Sequence, residues 1–424
     1  MKLWDKGIAI DKKIENFTIG NDREMDMHIA KYDVQASIAH VHMLYEIDSI
    51  NAVELKQLQQ GLEELMSEIE DNVFVIEDCF EDVHSKIEFE ITKKFGAVGK
   101  KIHTARSRND QILVALHLYF KEEISNVIQQ TTKLFDTLLD LSETYKDMLL
   151  PGYTHLQVAM PSSFGLWFSA YAELLIDDVY LLQAAYKVVD QNPLGSAAGY
   201  GSSFPIDREF TTQALHFSTL KYNVVAAQMS RGKSERTIAA ALGGLCNTLA
   251  RFSMDICLYM SQNFDFISFP NQFTTGSSIM PHKKNPDVFE LIRGKCNKIQ
   301  GLQTEMVLIT NNLPSGYHRD VQLLKEHMIT AFEEVKSILD IFDFAIKQII
   351  IKEVNLKDEK YKFLFTVDNM NSLVQSGMTY RDAYRIIGAK VENGTYEPDI
   401  SRKHTHVGSM HNLGLDEIRE KFPK

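Results

Sequence analysis

The chain has 424 residues, 45 Lys and Arg against 57 Asp and Glu, a net charge of −12, and 44% hydrophobic with 24% charged residues. This is a globular balance with length for about three domains and a large core, no apolar run approaches the ~18 residues of a membrane span, and the acidic surface disfavours nucleic acid. Four cysteines (Cys79, Cys246, Cys257, Cys296) form no CxxC pair or disulfide-scaffold spacing, and Met1-Lys2-Leu3-Trp4-Asp5-Lys6 leads into no apolar signal core, so a cytoplasmic protein is expected.

Before the first proline, Pro151, the chain holds only five glycines, so little interrupts helix. Leu55, Leu58, Leu62, Leu65 and Ile69 form one apolar helical stripe. From about 109 to 150, Leu113, Leu116, Phe120, Ile124, Val127, Thr131, Leu134, Leu138, Leu141, Tyr145 and Met148 alternate threes and fours. That seam predicts one helix of about 40 residues, roughly 60 Å long. Further long helices are predicted at about 162–190, 234–262, 287–310 and 320–351, with shorter ones after 352, broken near Gly377, Gly394 and Pro398. No sustained period-two alternation appears. The expectation is an all-α protein: an N-terminal helical domain (1–105), a central five-helix bundle serving as the oligomerisation core (106–351) and a small C-terminal helical domain (352–424).

Gly, Pro and Ser gather in three connections, 151–165, 193–205 and 270–286. Bundles normally use short loops, so these are expected to carry function. Lys100-Lys101-Ile102-His103-Thr104-Ala105-Arg106-Ser107-Arg108-Asn109-Asp110 is a basic run at a helix start, readable as an anion site or a solvated cap. Thr154-His155 sits in a turn after the long helix. Gly276-Ser277-Ser278-Ile279-Met280-Pro281-His282-Lys283-Lys284-Asn285-Pro286-Asp287 offers serines and lysines before a helix, fit for a carboxylate or phosphate. Gln322 and Lys325 lie one helical turn apart, although Lys325 alone reads as a surface lysine. Gly232-Lys233-Ser234 lacks the earlier P-loop glycine, which is Ala227. Gly195-Ser196-Ala197-Ala198-Gly199 follows no predicted strand, against a dinucleotide fold. His404 and His406 read as solvated, and no metal-ligand spacing appears.

Together, these stretches make the chain resemble the argininosuccinate lyase family, within the superfamily of fumarase, aspartase, adenylosuccinate lyase and δ-crystallin. The loop 276–286 resembles the superfamily signature. His103–Asp110 and Gly152-Tyr153-Thr154-His155-Leu156-Gln157 resemble the argininosuccinate branch. The resemblance implies the superfamily's all-α lyase fold and cleavage of argininosuccinate to arginine and fumarate. It also implies a homotetramer with neither cofactor nor metal, whose active sites are shared between chains. By the same resemblance, Ser277 is the catalytic base, Lys283 and Asn285 stabilise the aci-carboxylate, and His155 with Glu290 acts on the acid side or as a relay. Asp82, Arg108, Asn109, Thr154, Tyr317, Gln322 and Lys325 match substrate-contact positions. Two other readings remain: a sister lyase releasing fumarate from an adduct such as adenylosuccinate, and a catalytically silent, crystallin-like structural homologue.

Four departures from the family pattern stand out. Asp5-Lys6-Gly7-Ile8 replaces the N-terminal Gly-Gly-Arg-Phe, and Asp22 falls where the family holds substrate with a serine. Ser230-Arg231-Gly232-Lys233 reshuffles a Ser-acid-Arg-Asp loop, and the C-terminal domain is short. The elimination residues are unaffected; recognition of the guanidino end is what these changes touch.

Overall fold

The computed structural model describes residues 11–423, so Asp5–Ile8 lie outside the described residues. Helices α1 (Lys12–Ile19), α2 (Asp22–Met27), α3 (Ala30–Glu46), α4 (Ala52–Glu70) and α5 (Val83–Phe95) come first. Asn51 starts α4 with a reciprocal capping box to Glu54. The stripe on α4 does what its spacing predicts: Leu58, Leu62 and Leu65 are buried against Val41, Leu44 and Ile87. Each such side chain contributes about 1.5–3 kcal/mol of burial. Gly61 is needed there, because a Cβ would stand 2.7 Å from the Ile91 side chain.

The long α6 (Arg108–Thr144) runs unbroken for 37 residues. Ser107 and Asp110 cap it reciprocally: the Asn109 N–H donates to Ser107 Oγ and the Ser107 N–H to Asp110 Oδ1. A hairpin of β1 (Leu149–Thr154) and β2 (Gln157–Ser163) follows. Then come α7 (Phe164–Val189), β3 (Gln191–Asn192), α8 (Arg208–Ala214), β4 (Thr219–Leu220), α9 (Val224–Gln228) and α10 (Ser230–Met260). Next are β5 (Ile267–Ser268), α11 (Asp287–Thr310), α12 (Leu324–Ile346) and β6 (Ile350–Ile351). The chain closes with α13 (Thr366–Gln375), α14 (Tyr380–Glu392) and α15 (Leu415–Lys421). Short β3 pairs in parallel with β4, and β5 antiparallel with β6.

The chain gathers into two compact units, neither of them contiguous. One takes the chain up to Ile128 with Leu181–Cys246 and Lys298–Lys336; the other takes Gln129–Tyr180, Asn247–Asn297 and the chain from Ser337 on. Each of the five long helices contributes to both. In the first unit Tyr119 and Phe120 of α6 meet Phe332 of α12 at 5.9 and 6.1 Å between ring centroids. In the second, Trp167 and Tyr171 of α7 pack on Phe252 of α10, which meets Phe342 of α12; Phe289 of α11 adds its ring at 5.6 Å. Asp255 anchors this cluster by accepting from Trp167 Nε1 and the Tyr171 hydroxyl.

Three expectations need correction. Helix α6 ends at Thr144, not near 150, because the Phe164 and Gly165 N–H groups take the Met148 and Tyr145 carbonyls and turn the chain into the hairpin. The hairpin itself escaped notice because Pro151, Gly152 and Pro161 interrupt its strands. Helix α12 starts later than 320, at Leu324, after a 3-10 turn over Arg319–Leu323. Finally, His404 is not solvated: its Nε2 lies 2.8 Å from the buried Asp368 of α13. No helix among the described residues is long and apolar enough to cross a membrane.

Candidate active site

The first unit folds six of the expected residues around one cavity of about 200 Å³: Asp82, Arg108, Asn109, Tyr317, Gln322 and Lys325. Asp82 caps α5, accepting from the Ser85 N–H and hydroxyl. That leaves its second oxygen for the guanidinium of Arg108, in the first turn of α6. Arg108 also reaches Glu81 at 3.2 Å, which holds Arg319 at the same distance on its other oxygen. Gln322 donates to the Thr18 and Ile19 carbonyls and accepts from Arg319 Nε. Lys325 is no surface lysine. It is 4% exposed and pairs with Asp22, at 2.8 Å, and with Asp26. Burial raises the Asp22 carboxyl above its ordinary range, against the opposing pull of Lys325. Asp26 spends its other oxygen on the Val83 N–H, and His84 is held by Asp33.

Several lining residues escaped the sequence reading: Asp26, Glu81, His84, Arg231 and Arg319. Glu81 adjoins Asp82, and Arg231 belongs to the reshuffled loop, so those two carried some signal. Arg319 lies between Tyr317 and Gln322, in a stretch that already stood out, whereas Asp26 and His84 carried none without an alignment.

Arg231 reaches the cavity because α10 is broken where it begins. Arg231 has ψ 126° and Gly232 φ +89°, so the continuous helix starts only after them. A side chain at Gly232 would stand 2.6 Å from Thr310. Buried Glu235 fixes this break, accepting from the Gly232 N–H at 2.6 Å and meeting Arg231 Nε at 2.9 Å. Arg231 Nη2 donates to the Val321 carbonyl. Beneath the break lies His117, whose pKa burial pushes down to about 4, beside the Ser230 and Ser234 hydroxyls. A second opening, about 530 Å³, shares Arg231 and Tyr317 with the first and adds Lys233 and Arg236.

The remaining expected residues sit in the second unit. Thr154 and His155 form the tip of the β1–β2 hairpin, with His155 at φ 53° and Leu156 at φ 58°. Two left-handed central residues make the tight turn that matches strand twist. Tyr153 roots the hairpin on Phe264, and the tip from Thr154 to Gln157 is exposed. In the loop before α11, Asn285 pairs with Thr275 and closes the loop's base. Ser277 Oγ accepts from the Ile279 and Met280 N–H groups. Lys283, Asn285 and Glu290 line a cavity of about 620 Å³ at the start of α11. Glu290 lies in that helix's first turn, where the backbone favours an acid. No hydrogen bond or ion pair joins His155 to Glu290 or Ser277 among the described residues.

A family model described as Lyase matches residues 6–301, which sets the class of the protein: a lyase. The fold agrees with that class. A fumarate lyase:delta crystallin from Brucella melitensis superposes with a TM-score of 0.76 at 16% identity, over 97% of this chain and 94% of its own. A class II fumarase from Schistosoma mansoni gives 0.73 at 16% identity, over 90% and 88%. Curated relatives narrow it further. An argininosuccinate lyase of Parabacteroides distasonis is 52% identical over 98% of this chain and 94% of its own length, and one from Thermotoga neapolitana 39% over 92% and 98%. The chain belongs to the argininosuccinate lyase family.

Proposed function

We propose that the protein works in the cytoplasm, without a cofactor, splitting argininosuccinate into arginine and fumarate for arginine biosynthesis. The observation that carries this reading is identity of 52% and 39% to argininosuccinate lyases over 98% and 92% of the chain. The chemistry asks for three things. A base must take the proton from the carbon next to a carboxylate; the aci-carboxylate dianion that forms needs fixed cations and donors; and the leaving nitrogen must receive a proton. Ser277 is the base, activated by its surroundings because a hydroxyl is weak by itself. Lys283 and Asn285 meet the dianion. His155 and Glu290 serve the acid side, or relay the proton. Asp82, Arg108, Asn109, Thr154, Tyr317, Gln322 and Lys325 hold the substrate.

These residues form one site only if several chains supply it. An unbroken α6 of 37 residues spans about 55 Å from Arg108 to Thr144, before the hairpin begins. Helix α11, with 24 residues, spans about 36 Å from Asp287, beside the Ser277 loop, to Thr310, before Tyr317. The long helices also leave apolar side chains uncovered, Leu291 at 64% and Leu308 at 68% exposure, which suits self-association into a tetramer.

The test offers purified protein argininosuccinate and adenylosuccinate separately and follows fumarate by its ultraviolet absorbance. Fumarate from argininosuccinate alone is expected. Release only from adenylosuccinate would move the assignment to the sister enzyme. Binding of argininosuccinate without turnover would make the chain a silent, crystallin-like homologue.

A further inference from the structure

The tip of the β1–β2 hairpin carries Thr154 and His155, and little in the tip itself aims them. Backbone pairing of Thr154 with Gln157 closes the turn. His155 and Leu156 then stand at positive φ, which residues other than glycine rarely adopt. The side chains of Thr154, His155 and Gln157 make no hydrogen bond or ion pair among the described residues. Just below, the register shifts between Pro151 and Tyr153, and an irregularity of that kind re-aims a strand. Tyr153 is the first side chain under the tip with a firm anchorage. Its ring lies 5.1 Å from that of Phe264 and 6.3 Å from that of Phe266, which Tyr259 backs at 6.2 and 5.5 Å.

The hydroxyl end of Tyr153 meets the C-terminal part of the chain. Strand β6 pairs with β5, and the Lys352 N–H goes on to donate to the Phe266 carbonyl. That pairing returns the chain to the aromatic cluster, where a 3-10 turn over Glu359–Tyr361, capped by Asp358, presents Tyr361. Tyr361 is 4% exposed, its ring lies 6.5 Å from that of Phe266, and its hydroxyl is hydrogen-bonded to that of Tyr153. Burial, and then this bond, hold the Tyr153 hydroxyl above its ordinary range, and burial raises Tyr361 as well, so both phenols keep their protons at neutral pH. On the other strand, Met160 shares a cavity of about 380 Å³ with Asp368 and His404. All of these residues belong to the second unit.

We infer that Tyr361, acting through Tyr153, is a positioning residue for His155: the segment that follows β6 holds the hairpin in the direction that the reaction needs. This rests on the argininosuccinate reading and on the part His155 plays in it. A misplacement of about 1 Å at a reacting group can cost on the order of a hundredfold in rate. A hydroxyl remote from the substrate can therefore govern kcat while leaving binding nearly intact.

Tyr361→Phe removes one oxygen and leaves the ring packing in place. It should lower kcat for fumarate release by about tenfold or more with KM within about threefold, and Tyr153→Phe should do the same. The double variant should lose no more than either single one, because all three lack the same bond. Amide hydrogen exchange reads the anchor without relying on turnover: residues 152–158 should exchange about fivefold faster or more in Tyr361→Phe, with α13 unchanged. Circular dichroism and sedimentation show whether each variant folds and assembles; if buried Tyr361 does not tolerate the change, half-buried Tyr153 carries the test. Wild-type kcat in the folded variants, losses that multiply in the double variant, or unaltered exchange would each overturn the positioning role. Wild-type protein that leaves argininosuccinate intact would end the proposed function, and a fully active His155→Ala protein would end the histidine's part in it. In either case the exchange still decides whether Tyr361 holds the hairpin.

Discussion

At Glu235 a single buried carboxylate settles both a backbone break and the direction of a cation. It accepts from the Gly232 N–H and pairs with Arg231. Removing one partner of a buried pair strands the other charge, at about 3–5 kcal/mol. Glu235→Ala is therefore expected to lose stability of that order in urea unfolding and to raise KM for argininosuccinate more than it lowers kcat. Unchanged stability would show that the pair is not closed in solution. Ser277 presents the opposite case. Its loop is largely exposed, and among the described residues its hydroxyl is engaged by the Ile279 and Met280 N–H groups alone. Ser277→Ala should leave the circular dichroism spectrum intact while abolishing fumarate release. Activity within about tenfold of wild type, some 1.4 kcal/mol of barrier, would remove Ser277 from the base role. Residues of this kind were legible because they stand in a recognisable run. Lys325 was legible only by resemblance: nothing local tells a lysine that its partners, Asp22 and Asp26, lie about three hundred residues away.

Helices were legible in proportion to how regularly they bury a seam. On α6, Leu113, Leu116, Phe120, Ile124, Val127, Thr131, Leu134 and Leu138 are all buried, so each turn repeated the same message. Helix α11 runs over Asp287–Thr310, the span its pattern indicates. The β1–β2 hairpin was hidden because its register is carried by backbone pairing through Pro151 and Pro161 rather than by alternating side chains. Buried polar groups inside a helix were equally invisible. Asp178 of α7 is 6% exposed, one of its oxygens lacks a partner, and burial pushes its pKa up to about 6. The folded state therefore holds this proton more tightly than the unfolded chain does. The favourable contribution is full below the ordinary value of about 3.8 and disappears as pH rises through about 6. Asp178→Asn should raise Tm most at pH 7–8 and least near pH 4. A gain independent of pH would mean that shape, not charge, limits α7 there.

For the whole molecule, the lengths of α6 and α11 make the shared site testable by mixing. Inactive His155→Ala protein and inactive Ser277→Ala protein, dissociated and reassembled together, should recover part of the wild-type activity, since some mixed sites draw an intact hairpin and an intact loop from different chains. Reassembled mixtures without activity, or a fully active monomer, would defeat the shared-site reading. The division of every long helix between two units also governs how the protein can be made. The first unit draws on Lys298–Lys336 as well as on the N-terminal helices. Asp22 and Asp26 therefore leave the ribosome with no lysine to meet, and Lys325 follows them 299 residues after Asp26. At about 5–20 residues per second that interval is roughly 15–60 s. Throughout it the nascent chain carries acids destined for burial beside apolar faces without their partners, so this site closes as a late event of synthesis and the early helices need shelter until then.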